Sequence, residues 1–469
     1  MNSWIENEFK DSQFADLRIK ERILKMTLQL SSGFGQSIPM ACQDWASTKA
    51  AYRLLDNERI TEEDILAGHF SATETRVSAT DGHILVLHDT SEFSYTREEN
   101  NIGNTRKIRK NVGKNFVGGK QYFTKCGVLM HTTLAISEDG LPLGLGAVKF
   151  WTRKDFKGTE QQKRHINPTR VPIEEKESFR WVESLRQSTT RFGTPERCVH
   201  IADRESDMYE FFNEAKATKS HFLVRICVNR RTTSGINVYE QMRKQPVAGI
   251  YKISFTDENG KAVETELEIK FKTVELQPSD GRKAKIYGPL KVSIIFAKEV
   301  SNRKNGRPPI DWKLVTDLPI SCLAEAVEKL RWYALRWRIE IFFKILKSGC
   351  RAEDLKLREY ERITKLISIY CILGWRVFWM TMMNREVQTA PASLALTEVE
   401  IKILDHLFPQ VDQRRKKILS DYILKVARLG GYLARSSDPP PGNQIIWRGL
   451  KKLGEINIGV KIGLNFVGN

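Results

Sequence analysis

Apolar positions recur with a helical period through residues 1–70 and with a strand period from about residue 80, so the architecture changes near residue 70. The spacing predicts a helix over 12–30, with an apolar stripe of Leu17, Leu24 and Leu28. Beside it, Arg18, Arg22 and Lys25 fall at i, i+4 and i+7 on one face. A second helix at 44–56 carries Lys49, Tyr52 and Arg53, and a third starts near Thr61 with an acidic first turn. Beyond them, the apolar run at 84–88 reads as a short strand ending in Asp89, and 122–136 with 143–151 as a hairpin turning at Glu138-Asp139-Gly140. A helix at 174–191, a strand at 198–202 ending in Asp203, a helix at 208–218 and a strand at 221–228 follow. Residues 229–310 alternate strand patterns with turn-rich gaps and read as a β-rich insertion. The chain returns as a strand at 311–318 and a long helix at 323–347, and is helical after about 376. The expected organisation is α/β. A helical domain (1–70) precedes a mixed-sheet domain (71–375) that holds the insertion, and a helical domain (376–469) ends the chain.

Charge narrows the partner. The 469 residues hold 75 Lys plus Arg against 57 Asp plus Glu, a net of +18. Such an excess points to a polyanion, nucleic acid first. It is uneven: −3 over residues 1–70, +7 over 401–469 and +14 between, so the N-terminal helices must bind by placement of charge. Seven scattered cysteines without a C-x-x-C pair fit a reducing compartment, and 1–14 lacks the pattern of an export signal. Residues 366–383 have transmembrane length, but Arg376 sits among them, so they read as a buried core helix.

Candidate chemistry concentrates in three carboxylates. Asp89 and Asp203 each follow a strand, where α/β sheets gather ligand sites, although an Asp there is often only a cap. On the long helix Tyr333, Arg336, Glu340 and Lys347 share an arc of about 60° beside an apolar face of Trp332, Leu335, Ile339, Phe342 and Leu346. A plain amphipathic helix with an Arg336–Glu340 ion pair explains the same spacing. Carboxylates converging on one site need cations, and oxygen ligands favour Mg²⁺ or Mn²⁺. Two such ions suit phosphodiester chemistry, with Arg336, Tyr333 and Lys347 donating to phosphate oxygens. The Gly-rich basic loop at 113–121 lacks phosphate-loop spacing, which argues against a nucleotide cofactor but leaves a DNA clamp. His83, His88 and His200 lack zinc spacing, and no nucleophile elbow surrounds Ser91 or Ser94.

The run YALRWRIE at 333–340, with Lys347 seven residues on, resembles the Y-R-E-K signature of cut-and-paste transposases of bacterial insertion sequences. The similarity is to the branch typified by the transposon Five transposase. HDTS at 88–91 with Ser94-Tyr95, ADRESD at 202–207, FLVR ending at Arg225, Trp312-Lys313-Leu314, ARLGGY at 427–432 and Ala51-Tyr52-Arg53 match in the same order. The resemblance implies a ribonuclease-H-like core with Asp89, Asp203 and Glu340 as its DDE triad. It also implies N-terminal helices that read the element's ends and C-terminal helices that pair two copies of the chain in a synaptic complex. Arg18, Arg22, Lys49, Tyr52, Arg53, Arg225, Tyr333, Arg336 and Lys347 are then DNA contacts. Trp312 matches a tryptophan that holds a flipped base, and Trp337 lines the same pocket; the competing reading makes both core tryptophans. The implied activity is nicking of the element end, a hairpin intermediate and joining of the 3′-OH to target DNA, in a bacterial cytoplasm beside the nucleoid. A nuclease without strand transfer and an inactive DNA-binding regulator are the alternatives.

Overall fold

The computed structural model describes residues 4–95, 102–109, 122–153, 171–256, 262–279, 282–300, 308–386, 390–409 and 417–467. Five helices come first: α1 (Trp4–Glu8), α2 (Leu17–Ser32), α3 (Ile38–Cys42), α4 (Trp45–Leu55) and α5 (Glu62–Ser78). Their starts are written in capping side chains. Asp16 accepts from the Arg18 amide, Asp44 from the Ser47 amide, and Thr61 and Asp64 form a reciprocal box. The apolar stripe of α2 differs from the expected one. Ile19, Ile23, Met26 and Leu30 are buried, while Leu17 is 69% and Leu28 43% exposed. The Leu17–Leu24 stripe is interrupted by Lys20 and Glu21, so the unbroken neighbouring face is the one that packs.

The sheet region contains β1 (Ile84–Ser94), β2 (Asn104–Arg109), β3 (Tyr122–Ile136), β4 (Pro142–Trp151), α6 (Phe179–Phe192), β5 (Cys198–Ala202), α7 (Tyr209–Ala217) and β6 (His221–Arg225). It continues with α8 (Val238–Lys244), β7 (Gly249–Thr256), β8 (Ala262–Leu276), α9 (Arg282–Ile286), β9 (Leu290–Glu299) and β10 (Asp311–Thr316). Among the described residues one sheet runs β2-β3-β1-β5-β6-β10-β9-β8-β7, with β4 on β3. β1, β5 and β6 are parallel neighbours, and the flanking pairs are antiparallel. This is the mixed order expected of a ribonuclease-H-like core. The strands of the expected β-rich insertion, 229–310, continue the main sheet through β9 and β10, because pairing satisfies an edge that would otherwise stay open. One expectation changes: β1 runs on to Ser94, so Asp89 lies mid-strand. The Gly-rich loop at 113–121 and most of the basic exit at 301–309 lie outside the described residues.

The long helix is divided into α10 (Leu323–Leu335) and α11 (Trp337–Lys344), followed by a π-helical turn, Ile345–Gly349. At the division the Arg336 amide bonds the Tyr333 carbonyl three residues back, at 3.0 Å. Then come α12 (Tyr360–Glu386), α13 (Glu398–Leu407), α14 (Leu419–Leu429) and α15 (Asn443–Val467). The Tyr360–Met383 stretch of α12 is long and apolar enough to cross a membrane, but its most apolar window is 94% buried inside the protein. One core cluster joins α2, α5, one sheet face, α12 and α14, and the expected boundary at 375/376 falls within α12.

Candidate active site

Strand parity builds the site. In β1, Leu85 and Leu87 face the main core, while Ile84 and Val86 face the opposite side of the sheet. In β5, Val199 and Ile201 share the main-core face. The parallel register pairs Leu85 with Val199 and Leu87 with Ile201. Two residues further on each chain stand Asp89 and Asp203, on the same face. Helix α11 packs against β1 through its buried Ile339 and Phe342 side, which brings Glu340 to that face.

Arg336 joins two of the carboxylates. Its Nη1 donates to Asp89 Oδ2 at 3.1 Å and its Nη2 to Glu340 Oε1 at 2.8 Å. The i, i+4 ion pair of the plain-helix reading therefore exists, but the guanidinium reaches past it to Asp89. The Thr90 amide donates to Asp89 Oδ1 at 2.7 Å. Burial still pushes the Asp89 carboxyl up to about 6, opposed by Arg336 and the Thr90 amide and reinforced by the charges of Glu340 and Asp203. Asp203 Oδ1 is buried with no hydrogen-bond partner.

The surrounding residues divide. Tyr333 is buried, and its hydroxyl is raised by burial and by the Asp203 charge, against the cations Arg336 and Arg225. Trp312, half-buried on β10, meets the Tyr333 ring edge-on at 5.5 Å. Arg225 closes β6 and donates to the Asp311 carbonyl at 3.3 Å. Lys347, in the π-turn, lies 5.6 Å from the Phe93 ring, four residues beyond Asp89 on β1. Trp337 is 61% exposed, which overturns its reading as a core tryptophan: it starts α11 on the side away from Ile339. His88 and His200 bond each other at 2.8 Å in the core, where burial holds both well below the ordinary imidazole range.

Two family matches bear on this geometry. Residues 174–373 match the transposase DDE domain and residues 1–60 the transposase DNA-binding domain. It is a DDE transposase. The first match contains Asp203 and Glu340, and Asp89 lies ahead of it. A cryo-EM structure of a piggyBac transposase synaptic complex with hairpin DNA is 8% identical, with a TM-score of 0.37 over 98% of this chain and 77% of its own.

DDE transposases use divalent metal ions, and the donor chemistry of the transposase fits them. Asp89, Asp203 and Glu340 offer only oxygen, and the unpartnered Asp203 oxygen is one that a cation would satisfy. Among the described residues no three His, Cys, Asp or Glu side chains already converge as a ligand set; the Arg336 guanidinium stands between Asp89 and Glu340.

The DNA-binding part of the transposase presents a second surface. Arg18 and Arg22 are exposed on α2, and Lys49, Tyr52 and Arg53 on α4. A groove along α4 is lined by Trp45, Lys49, Tyr52, Arg53 and, from α12, Arg362. Trp45 is 78% exposed and escapes a reading by charge, although it stands four and seven residues ahead of Lys49 and Tyr52 on the same face. Arg362, which pairs with Asp56 at 2.5 Å, has no local signal and arrives only through packing. Tyr52 also borders a cleft of about 530 Å³ shared with Arg351 and Lys356.

Proposed function

We propose that this transposase belongs to the Y-R-E-K type of bacterial insertion sequences and cuts its own element out by phosphoryl transfer. Asp89, Asp203 and Glu340 hold two Mg²⁺ ions, for which Mn²⁺ substitutes. The supporting observation is the shared face of Asp89 and Asp203 beneath the helix that carries Glu340. The ions supply charge neutralisation and polarise the attacking and leaving oxygens. Arg336, Lys347 and Arg225 bind phosphate oxygens, and on DNA binding the Arg336 guanidinium exchanges carboxylate partners for phosphate. Tyr333 and Trp312 form the wall against which the bent strand tip rests.

Residues 1–70 read the element's ends, the sheet region from residue 71 into α12 carries the chemistry, and the C-terminal helices beyond α12 pair a second copy in a synaptic complex. The 3′-OH freed by nicking forms a hairpin on the opposite strand, is released and joins target DNA. Each step exchanges or hydrolyses a phosphodiester, so no nucleotide cofactor is needed. The work is done in the bacterial cytoplasm at the nucleoid. The test is incubation with linear DNA bearing the native element ends and Mg²⁺, with products resolved on a denaturing gel. Nicks, hairpins and joined products are expected from the parent protein. Asp89→Ala, Asp203→Ala and Glu340→Ala should each lose cleavage while retaining end binding. A Glu340→Ala protein that nicks at the parent rate overturns the triad, and nicks without joined products leave a nuclease.

A further inference from the structure

Arg180, the second residue of α6, is 9% exposed and uses its whole fork. Nε donates to Thr90 Oγ1 at 3.2 Å, Nη1 to the Glu177 carbonyl at 2.8 Å and Nη2 to Glu205 Oε2 at 2.5 Å. The guanidinium carbon lies 5.3 Å from the Trp151 ring and 5.6 Å from the Trp181 ring, which limit its movement.

Both polar ends of this contact lead to the candidate site. Thr90 follows Asp89, and its amide holds Asp89 Oδ1 at 2.7 Å; its hydroxyl also meets His131 Nδ1 at 2.9 Å. Glu205 stands two residues after Asp203, in the short turn Arg204–Ser206. Ser206 bonds the Asp203 carbonyl with its amide at 3.0 Å and its hydroxyl at 2.7 Å, so the turn and Asp203 move together. β1 and β5 are hydrogen-bonded only as far as Leu87 and Ile201, before either aspartate is reached. Past that point Arg180 links the two chains through Thr90 and Glu205. The Glu205 carboxylate is 67% exposed, so the ion pair adds little stability. Its geometric effect is larger, because a planar guanidinium bonded at several positions fixes angle as well as distance.

We infer that Arg180 is a positioning residue: it sets the separation of the Asp89 and Asp203 carboxylates, and hence their affinity for divalent cations, from behind the site. The inference rests on those two aspartates being ligands, as proposed above. Outer partners of metal ligands typically change metal affinity by about 10- to 100-fold when removed.

The experiment uses the full chain with Arg180→Gln, Arg180→Lys, Glu205→Gln and the Arg180→Gln/Glu205→Gln pair. Mn²⁺ affinity is read by electron paramagnetic resonance without DNA, the Mg²⁺ midpoint of first-strand nicking is read on end DNA, and Tm is read alongside. Arg180→Gln and Glu205→Gln should each weaken Mn²⁺ binding and raise the Mg²⁺ midpoint about tenfold, with nicking restored at saturating Mg²⁺. The pair should be no worse than either single change, and Arg180→Lys should recover part of the affinity. Glu205→Gln should leave Tm unchanged, and it decides the question alone if Arg180→Gln does not fold. Unchanged Mn²⁺ affinity and Mg²⁺ midpoint in Glu205→Gln overturn the inference. Asp89→Ala and Asp203→Ala separate the two ideas. If they keep Mn²⁺ affinity and nicking, the site assignment fails; if they lose both while Glu205→Gln keeps both, only the positioning role fails.

Discussion

Asp89 combines burial with two carboxylate neighbours, and its stability effect has a definite sign. Its native carboxyl is raised to about 6 from an ordinary 3.8. Between those values the native state holds a proton that the unfolded chain has released, so stability falls as pH rises through the window and is level above it. The shift corresponds to something on the order of 3 kcal/mol. In metal-free buffer, Asp89→Asn should melt above the parent at pH 8, and the gap should close toward pH 4. Equal Tm differences at both pH values would remove the electrostatic account. Trp312 carries a different expectation. Its half-buried ring lies beside Tyr333; under the proposed function it receives a base unstacked at a bent tip, and such stacking is worth roughly 1–3 kcal/mol. Trp312→Ala should permit first-strand nicking but slow hairpin formation, and an abasic nucleotide at the tip should restore part of the rate. Equal slowing of both steps would mean that Trp312 only supports the fold.

At the scale of elements, α4 shows how one helix serves two surfaces. Ala51, Leu54 and Leu55 are buried, while Trp45, Lys49, Tyr52 and Arg53 line the outer groove. Lys49→Ala and Arg53→Ala should each lower the slope of log affinity against log salt by about one if they contact phosphate. Trp45→Ala should weaken binding with the slope preserved, since it carries no charge. Shift assays at several salt concentrations separate these outcomes, and unchanged affinity in all three would move the reader elsewhere. The division of the long helix is also an element-scale result. Tyr333 belongs to α10, Glu340 to α11 and Lys347 to the π-turn, so these residues and Arg336 are not set on one regular helical ridge.

For the whole molecule, Arg376 in α12 is the most informative contact. Its Nη2 donates to the Ala395 carbonyl at 2.7 Å, its Nη1 approaches Ser31 Oγ at 3.5 Å, and its guanidinium carbon lies 4.2 Å from the Trp4 ring. One side chain therefore ties α1 and α2 to the C-terminal helical region, and burial lowers its own pKa to about 10. Arg376→Ala should cost about 3 kcal/mol in urea unfolding through the lost contacts and the space left behind. Arg376→Met, which refills the space without a buried charge, should cost less. A single unfolding transition is expected for both, because one core cluster runs through the N-terminal helices, the sheet and the C-terminal helices. Two separated transitions would show that residues 1–70 fold on their own.

Local chemistry is enough to read the order of helices and strands, the hairpin at 138–140, the strand ahead of Asp203 and the acidic start of the helix after Thr61. Each depends on residues a few positions apart, where periodicity and side-chain-to-backbone bonds act directly. The run at 333–347 marks four residues by a spacing that a regular helix would align, while the division of the helix and the π-turn set where they stand. What stays open in the chain of letters depends on partners far along it. The face of α2 that packs, the joining of the 229–310 strands to the main sheet and the exposure of Trp337 follow from which surfaces meet. So do the bridge from Arg336 to Asp89, 247 positions away, and the Arg180 contact to Thr90 and Glu205. A charged side chain in a linear sequence has several equivalent partners; burial removes the competing water, and the nearest carboxylate in the assembled core then decides.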